Sequence, residues 1–272
     1  MTTNADIFHS LHAGPGLLLL PNCWDAGSAR LLEHLGARAV ATTSAGLAWS
    51  LGFPDGDALP VTKLAAAVES IVRVIRIPLS VDMEGGYSDD PADVSEAVAA
   101  IAGAGGVGIN LEDGAMPPDL FVRKLEAARK GADRAGVRMF VNARTDTYLR
   151  ALVPENRLVG ETLARAGMFR DAGADGFFVP KVVADDAIRE IAASCGLPLN
   201  VLAWHGLSPS RELEKLGVRR VSAGSSIAQA AWGRARDAAA TFLADGYTPA
   251  LFENAMLYGD INPLFAESAR GR

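Results

Sequence analysis

The sequence predicts an α/β fold, a closed (β/α)8 TIM barrel, from three observations. Eight apolar runs of strand length recur along its 272 residues, each followed by a segment of helical character, and several of those segments end in glycine before the next run. Runs that are apolar on both faces and joined by helices call for a parallel sheet covered by helices. Eight such units in about 250 residues fit a closed barrel better than an open doubly wound sheet. An open sheet would more naturally carry a glycine-rich phosphate loop after its first strand, and PNCWDAGSA, residues 21–29, is not one.

The elements follow in order. GLLLLP (16–21) is the first strand, and the helical segment 25–35 opens at Asp25 and ends at Gly36 in HLGARAV. RAVATTS (38–44) precedes a helix over 62–75 that begins at Thr62. PLSVDME (78–84) leads to a helix over 91–104, opened by Pro91 and closed in IAGAGGVG. GVGINLED (106–113) precedes 119–135, and RMFVNART (138–145) precedes 156–172, which closes in RDAGADGF. DGFFVPK (175–181) is followed by 185–194, PLNVLA (198–203) by 209–216 with its EKLGVRRV ending, and RRVSAG (219–224) by 226–244. No linker or low-complexity stretch interrupts this series. One barrel domain over 1–272 is therefore expected, with a helical tail from about residue 245.

Composition narrows the function. Asp and Glu total 32 against 26 Lys and Arg, a formal charge of −6, and no basic cluster is dense enough to grip a phosphate backbone. A nucleic-acid partner is not expected. The longest early apolar run, GLLLLPNCW, is too short to span a bilayer, and nothing resembling a secretory leader precedes it, so no membrane partner and a cytoplasmic location are expected. Cys23 and Cys195 have neither disulfide nor metal-ligand spacing, and four scattered histidines offer little to zinc. Any metal here would be a hard one held by oxygen.

Polar residues concentrate where strands end, the position of binding and catalytic groups in such barrels. PLSVDMEGGYSDD (78–90) turns from apolar to acidic at Asp82 and Glu84, which alternation along a strand would place on one face. The next strands end in Glu112 with Asp113, then Asn142, Arg144 and Asp146, and later Asn200 with His205 nearby. Asp82, Glu84 and Glu112 make an oxygen-rich cage suited to Mg2+ or Mn2+ with open positions for a bidentate 2-oxo or 2-hydroxy acid. Pairing of the same acids with Arg144 and helix N-termini is the plainer explanation. Arg144 could fork onto a substrate carboxylate or a developing oxyanion, or bridge to Glu112. The loop TTSAGLAWS offers a hydroxyl and N–H groups at Ser44 and Gly46, a modest anion nest or a simple turn. His205 is one acid–base candidate, although a lone histidine beside Trp204 is more often a packed, hydrogen-bonded residue.

The series NCWDAGSARLLEHLGARAVATTSAGLAWSLGFPDGD, SVDMEGGYSDDP, GINLEDG and VNARTD, in this order and spacing, resembles the isocitrate lyase and phosphoenolpyruvate mutase superfamily from about Leu18 to GVRRVSAGSS. The resemblance implies a barrel that binds Mg2+ and an α-oxo or α-hydroxy carboxylate and works on an adjacent carbon–carbon or carbon–phosphorus bond. Carried over by position, Asp82 would ligate the metal directly, and Glu84 and Glu112 would hold metal-bound waters. Ser44, Ala45 and Gly46 would cradle the substrate carboxylate, with Asn200 lining the pocket. Asp55 would stand near the metal, so that Arg144, Asp55 and Glu112 carry the chemistry. It also implies a homo-oligomer, a dimer or a tetramer, whose subunits exchange a C-terminal helix, here within IAQAAWGRARDAAATFLADG.

Departures from that pattern select the reaction. The loop EDGAMPPDLFVRKLEAARK lacks both the Lys-Cys-Gly-His motif of lyases that cleave isocitrate or methylisocitrate and the Lys-Thr-Asn run of mutases and phosphonopyruvate hydrolases. Thr42 stands where lyases have tyrosine, FVPK where many members have a polar or acidic residue, and Ala203 where lyases often have glutamate. The expected function is a Mg2+-dependent lyase that cleaves or decarboxylates a small 2-oxo or 2-hydroxy di- or tricarboxylate, oxaloacetate- or alkylmalate-like, through an enolate. Two alternatives stand beside it. One is carbon–phosphorus chemistry on phosphonopyruvate, with Lys181, Arg123 or Lys124 supplying extra positive charge; the other is a carboxylate-binding barrel without turnover.

Overall fold

A computed structural model describes residues 2–270. Its strands are β1 (Leu18–Leu20), β2 (Asn22–Cys23), β3 (Val40–Thr42), β4 (Leu79–Asp82), β5 (Gly108–Glu112), β6 (Phe140–Arg144), β7 (Gly176–Val179), β8 (Leu199–Leu202) and β9 (Val218–Ser222). They form one sheet in the order β1-β9-β8-β7-β6-β5-β4-β3-β2, and every pair is parallel. β1 and β2 are halves of a single barrel strand broken at Pro21, which has no N–H to give the ladder. The Leu20 carbonyl accepts from the Ala223 N–H at 3.3 Å on one side, and the Pro21 carbonyl from the Ala41 N–H at 3.1 Å on the other. Those two bonds close the cylinder. The expected (β/α)8 barrel is what the chain forms.

Between strands lie α2 (Ala26–His34), α4 (Val61–Val72), α5 (Pro91–Gly103), α6 (Pro118–Arg134), α7 (Leu158–Asp171), α8 (Asp185–Ser194) and α9 (Ser210–Lys215), close to their expected bounds. Outward strand residues such as Val81, Ile109, Leu111, Val141 and Phe177 pack under these helices in one continuous core. Alternation then turns Asp82, Asn110, Glu112, Asn142 and Arg144 toward the lumen.

Two helices were not expected. α1 (Asn4–Ala13) is capped by a reciprocal Thr3–Asp6 box and buries Ala5, Phe8, Leu11 and His12. It lies outside the strand–helix repeat that organised the sequence reading, although its apolar spacing is helical. α3 (Ser44–Ser50) replaces the loop expected at TTSAGLAWS. Thr43 caps it by accepting from the Gly46 N–H at 3.5 Å, and Ala45, Leu47 and Ala48 are buried. Seven residues are too few for periodicity to show before tertiary burial selects the helix.

α1 plugs the end of the barrel where the strands begin: Phe8 and Leu11 pack with Leu18, Leu20, Ala39, Ala41 and Phe140. Gly108 makes room for this plug, since a Cβ there would lie 2.5 Å from Phe8 Cε1. Gly108→Ala is therefore expected to cost about 1–3 kcal/mol of stability through overpacking. A melting temperature equal to wild type would show that the plug yields freely.

Beyond the barrel come α10 (Ser226–Asp245), α11 (Pro249–Phe252) and α12 (Tyr258–Arg270). α12 returns to α2, where Arg30 Nε donates to the Leu264 carbonyl at 2.8 Å. α10 buries only Ala228 and leaves Trp232, Phe242 and Leu243 exposed. The outer face of β1 and β9 is correspondingly open, a groove of about 570 Å³ lined by Leu17–Leu20, Leu32, Leu35 and Val221, in which Leu19 is 58% exposed. Among the described residues no helix is long and apolar enough to cross a membrane.

Candidate active site

Adjacent strands bring the central groups together. Asp82 ends β4 opposite Asn110 of β5, and Glu112 ends β5 opposite Arg144 of β6. Arg144 Nη1 lies 2.5 Å from Glu112 Oε2, with both side chains largely buried, so the ion pair weighed from sequence is present. Arg144 also donates from Nε to Asp146 Oδ1 at 2.8 Å. Its Nη2 makes no hydrogen bond among the described residues.

Glu84 reaches this group by another route than strand alternation, because β4 stops at Asp82. The chain turns back at once, with the Gly86 N–H on the Met83 carbonyl at 2.8 Å, and Glu84, Gly86 and Tyr87 all take positive φ, of 49°, 94° and 62°. Left-handed backbone at two non-glycine residues is strain that the surroundings must hold. They do so through the Glu84 carboxylate, whose Oε2 accepts from the Gly56 N–H at 2.8 Å and from the Asp57 N–H, while Tyr87 Oη donates to Oε1 at 3.3 Å. From below, the buried Lys124 Nζ donates to the Gly85 carbonyl at 2.9 Å and pairs with Asp89 at 3.1 Å.

The turn that holds Glu84 carries Asp55 on its exposed side. Asp55 still reaches the site electrostatically, raising both Asp82 and Glu84. Burial is the main cause of each upward shift: Glu84 rises to about 7, against the pull of the Asp57 N–H, and Glu112 to about 8, against the charge of Arg144. Asp82 rises for the same reason, with Arg144 opposing. Burial works against the charge on Arg144, but Glu112, Asp146 and Asp82 outweigh it and raise its pKa.

Behind Arg144 stands a second layer. Asp146, fully buried, takes Arg144 on Oδ1 and Arg150 on Oδ2, the latter at 2.9 Å. Its own N–H donates to Asp113 Oδ1 at 2.8 Å, and Asp113 Oδ2 is held by Thr145 and Arg165, each at 2.7 Å. This fixes the guanidinium in place. Asp113 and Asp146 were legible as strand-end acids without a role; Asp57, Tyr87, Asn110 and Arg165 were missed, because nothing in their local sequence marks which way they point.

The remaining expected residues make no hydrogen bond or ion pair with the three acids among the described residues. Ser44, Ala45 and Gly46 form the first turn of α3, and a Cβ on Gly46 would meet Thr43, Trp24 and Ala228 at 2.8–3.1 Å. Their nearest tie to the acids is Thr42 Oγ1, which accepts from the Asp82 N–H at 2.8 Å. Asn200 is buried, its Oδ1 accepting from the Ser222 hydroxyl at 3.3 Å, and it makes no hydrogen bond to the acids. His205 is exposed, not packed and hydrogen-bonded as expected, and with Trp204 lines a separate pocket alongside Ser225, Ser226 and Gln229.

Among the described residues no three His, Cys, Asp or Glu side chains are placed to ligate one ion directly. The donors at hand are nonetheless all oxygen, and Asp82 raises both Glu84 and Glu112, with Glu84 also raising Glu112. A hard divalent cation suits that excess of negative charge, with water completing its shell.

Residues 8–243 match the family model described as phosphoenolpyruvate phosphomutase. An uncharacterized protein of Mycobacterium tuberculosis is 37% identical over 223 residues, covering 80% of this chain and 81% of its own. The 2,3-dimethylmalate lyase of Eubacterium barkeri is 28% identical over 211 residues, 74% of this chain and 73% of the relative. A crystal structure from Burkholderia cenocepacia superposes with a TM-score of 0.81 at 39% identity, covering 89% of this chain and 99% of that one.

Proposed function

This chain belongs to the phosphoenolpyruvate phosphomutase family, within the isocitrate lyase/PEP mutase superfamily, and we propose that it is a Mg2+-dependent carbon–carbon lyase acting on a small 2-oxo or 2-hydroxy di- or tricarboxylate. The observation that carries this reading is the set of three carboxylates, Asp82 and Glu84 buried and Glu112 largely so, with Asp82 raising the other two, beside one preorganised guanidinium at the strand ends. Asp82 would hold the cation directly, Glu84 and Glu112 through water; Mn2+ is the natural substitute. The bound cation would act as a Lewis acid toward negative charge developing on the substrate's 2-oxo oxygen. Arg144 would offer Nη2 to the substrate carboxylate while Glu112 and Asp146 hold Nη1 and Nε. Because Asp146 and Asp113 fix that geometry before substrate arrives, little reorganisation is needed as charge builds.

Carbon–carbon chemistry is favoured over carbon–phosphorus chemistry by where the spare cations go. A phosphonate dianion needs more positive charge than Arg144, yet Lys124 is committed to Gly85 and Asp89, Arg123 faces an outer groove between α5 and α6, and Lys181 is exposed beyond the end of β7 with no bond to the acids among the described residues. A turnover screen over oxaloacetate, alkylmalates, methylisocitrate, isocitrate and phosphonopyruvate, with and without Mg2+, tests the reading. Mg2+-dependent pyruvate or 2-oxo acid release from a carboxylate substrate is expected; phosphate or phosphoenolpyruvate from phosphonopyruvate, or no turnover at all, would reject it.

The raised carboxylates set a pH dependence. Glu84 and Glu112, at about 7 and about 8 against an ordinary 4.5, hold more protons folded than unfolded between those values. Stability of the metal-free protein should therefore fall as pH rises from about 4.5 to 8. Mg2+ must displace those protons, so its affinity should rise across the upper part of the same range. Thermal melts at pH 5 and 8 with and without Mg2+ check both; a metal-free protein as stable at pH 8 as at pH 5 would contradict the shifts.

The same reading includes assembly. The exposed apolar face of α10 and the open groove over β1 and β9 are complementary in character, and exchange of α10 between two copies would cover both. Light scattering is expected to give a dimer or tetramer, and Phe242→Asp with Trp232→Asp to shift it toward monomer.

A further inference from the structure

Inside the barrel, beneath the acids, sits Arg220 of β9, 1% exposed and with no carboxylate in salt-bridge reach among the described residues. A buried guanidinium without an ion pair is costly, and its fold position is one that an apolar residue could fill. Burial depresses its pKa to about 9, and the charge on Asp82 opposes that fall. Of its donors, Nη2 reaches Asn110 Oδ1 at 3.2 Å, and Nε and Nη1 find no partner among the described residues.

The bond to Asn110 has a direction that matters. Asn110 Oδ1 accepts from Arg220 Nη2 and also from Asn142 Nδ2 at 2.9 Å, which leaves the Asn110 amide to donate from Nδ2 to Asp82 Oδ2 at 3.3 Å. Asn142 and Asn110 each carry a donor and an acceptor end and could both be turned over without losing their mutual bond. Arginine can only donate. The Asp82 carboxylate at the far end can only accept, so the two fixed ends agree on one orientation of Asn110, Oδ1 toward Arg220 and N–H toward Asp82, and removing Arg220 leaves Asp82 itself as the only fixed end. Were Asn110 reversed, its Oδ1 would confront the Asp82 carboxylate and drive that carboxylate off its position.

We propose that Arg220 is a positioning residue for the cation site: by anchoring Asn110 with its N–H toward Asp82, it steadies the carboxylate that Asp82 presents at the end of β4. The proposal rests on the reading of Asp82 as the metal ligand. It gives the unpaired buried charge a role that packing alone does not, since Asn110, which Arg220 anchors, is a direct hydrogen-bond partner of the expected metal ligand, and such partners commonly govern metal affinity.

The sign of the effect separates this role from two simpler ones. A charge acting only through space would repel a divalent cation, so removing it would tighten binding; a charge kept only for folding would change the melting temperature and leave the affinity alone. The positioning role predicts the reverse of the first and more than the second. Mn2+ affinity, read by electron paramagnetic resonance on wild type and on Arg220→Met, Arg220→Gln and Arg220→Lys, distinguishes them. Arg220→Met and Arg220→Gln are expected to weaken Mn2+ by about 10- to 100-fold. Arg220→Lys, still a pure donor, is expected to recover most of that loss. If Arg220→Met does not fold, the comparison of Gln, which can donate or accept, with Lys carries the test. Unchanged or tighter Mn2+ binding in the Met or Gln variant, with wild type binding normally, overturns the positioning role alone. Failure of wild type itself to bind Mn2+ or Mg2+ overturns it together with the metal reading.

Discussion

Asp82→Ala is expected to lower divalent-cation affinity by more than about 100-fold and to abolish Mg2+-dependent binding of oxalate, while the barrel stays folded. Asp82 is buried at the end of β4, held by the Glu84 N–H on Oδ1 at 3.1 Å and by Asn110 on Oδ2. No neighbouring oxygen occupies its place at the end of β4. Its removal also relieves repulsion on Glu84 and Glu112, each of which Asp82 pushes upward. In the metal-free protein that relief should offset part of the two lost hydrogen bonds, so the melting temperature is expected to change little. Calorimetric titration with Mg2+ and oxalate, alongside thermal melts, reads both. Retained Mg2+-dependent oxalate binding would remove the cation cage from the proposal.

Arg144→Lys is expected to reduce kcat/KM by about 10²- to 10³-fold, although it conserves charge. The guanidinium simultaneously meets Glu112 at 2.5 Å and Asp146 at 2.8 Å and has a third edge to offer a carboxylate. A lysine ammonium is a single point that can serve one or two of these at once. Mg2+ affinity should be nearly retained, because Arg144 is not among the cation's expected ligands. Steady-state kinetics on whichever substrate the screen identifies, with Mn2+ affinity measured in parallel, separates the two quantities. Wild-type kcat/KM in this variant would leave Arg144 a structural ion pair with Glu112 and Asp146.

Much of the architecture was legible because it repeats. Eight strand runs apolar on both faces, and helices closed by glycine, encode a buried parallel sheet wherever they occur. The strand-end acids were visible for a related reason: Asp82, Glu112 and Arg144 each terminate an apolar run, so the change in polarity marks both the strand end and the group placed there. What was not legible is local structure set by burial. α3 looked like a loop since its seven residues become a helix only with Ala45, Leu47 and Ala48 packed away. α1 lies before the repeat begins, and its role as a plug depends on Gly108, about a hundred residues later.

Glu84 marks the boundary most clearly. Its spacing from Asp82 suggested a shared strand face, and the two acids do influence one another, but the strand ends before Glu84 and a left-handed turn carries it there. Arg220 lies past the same boundary. In RRVSAG it is one of two adjacent arginines, and nothing in the sequence distinguishes Arg219 from it. By itself the sequence determined the closed parallel barrel, the family, and the polar residues at three neighbouring strand ends, because hydrophobic periodicity and strand termini are properties of short segments. Only the tertiary structure decided which way each group points and what it meets. Hydrogen-bond direction, backbone handedness and the burial that shifts a carboxyl all depend on atoms supplied by distant parts of the chain.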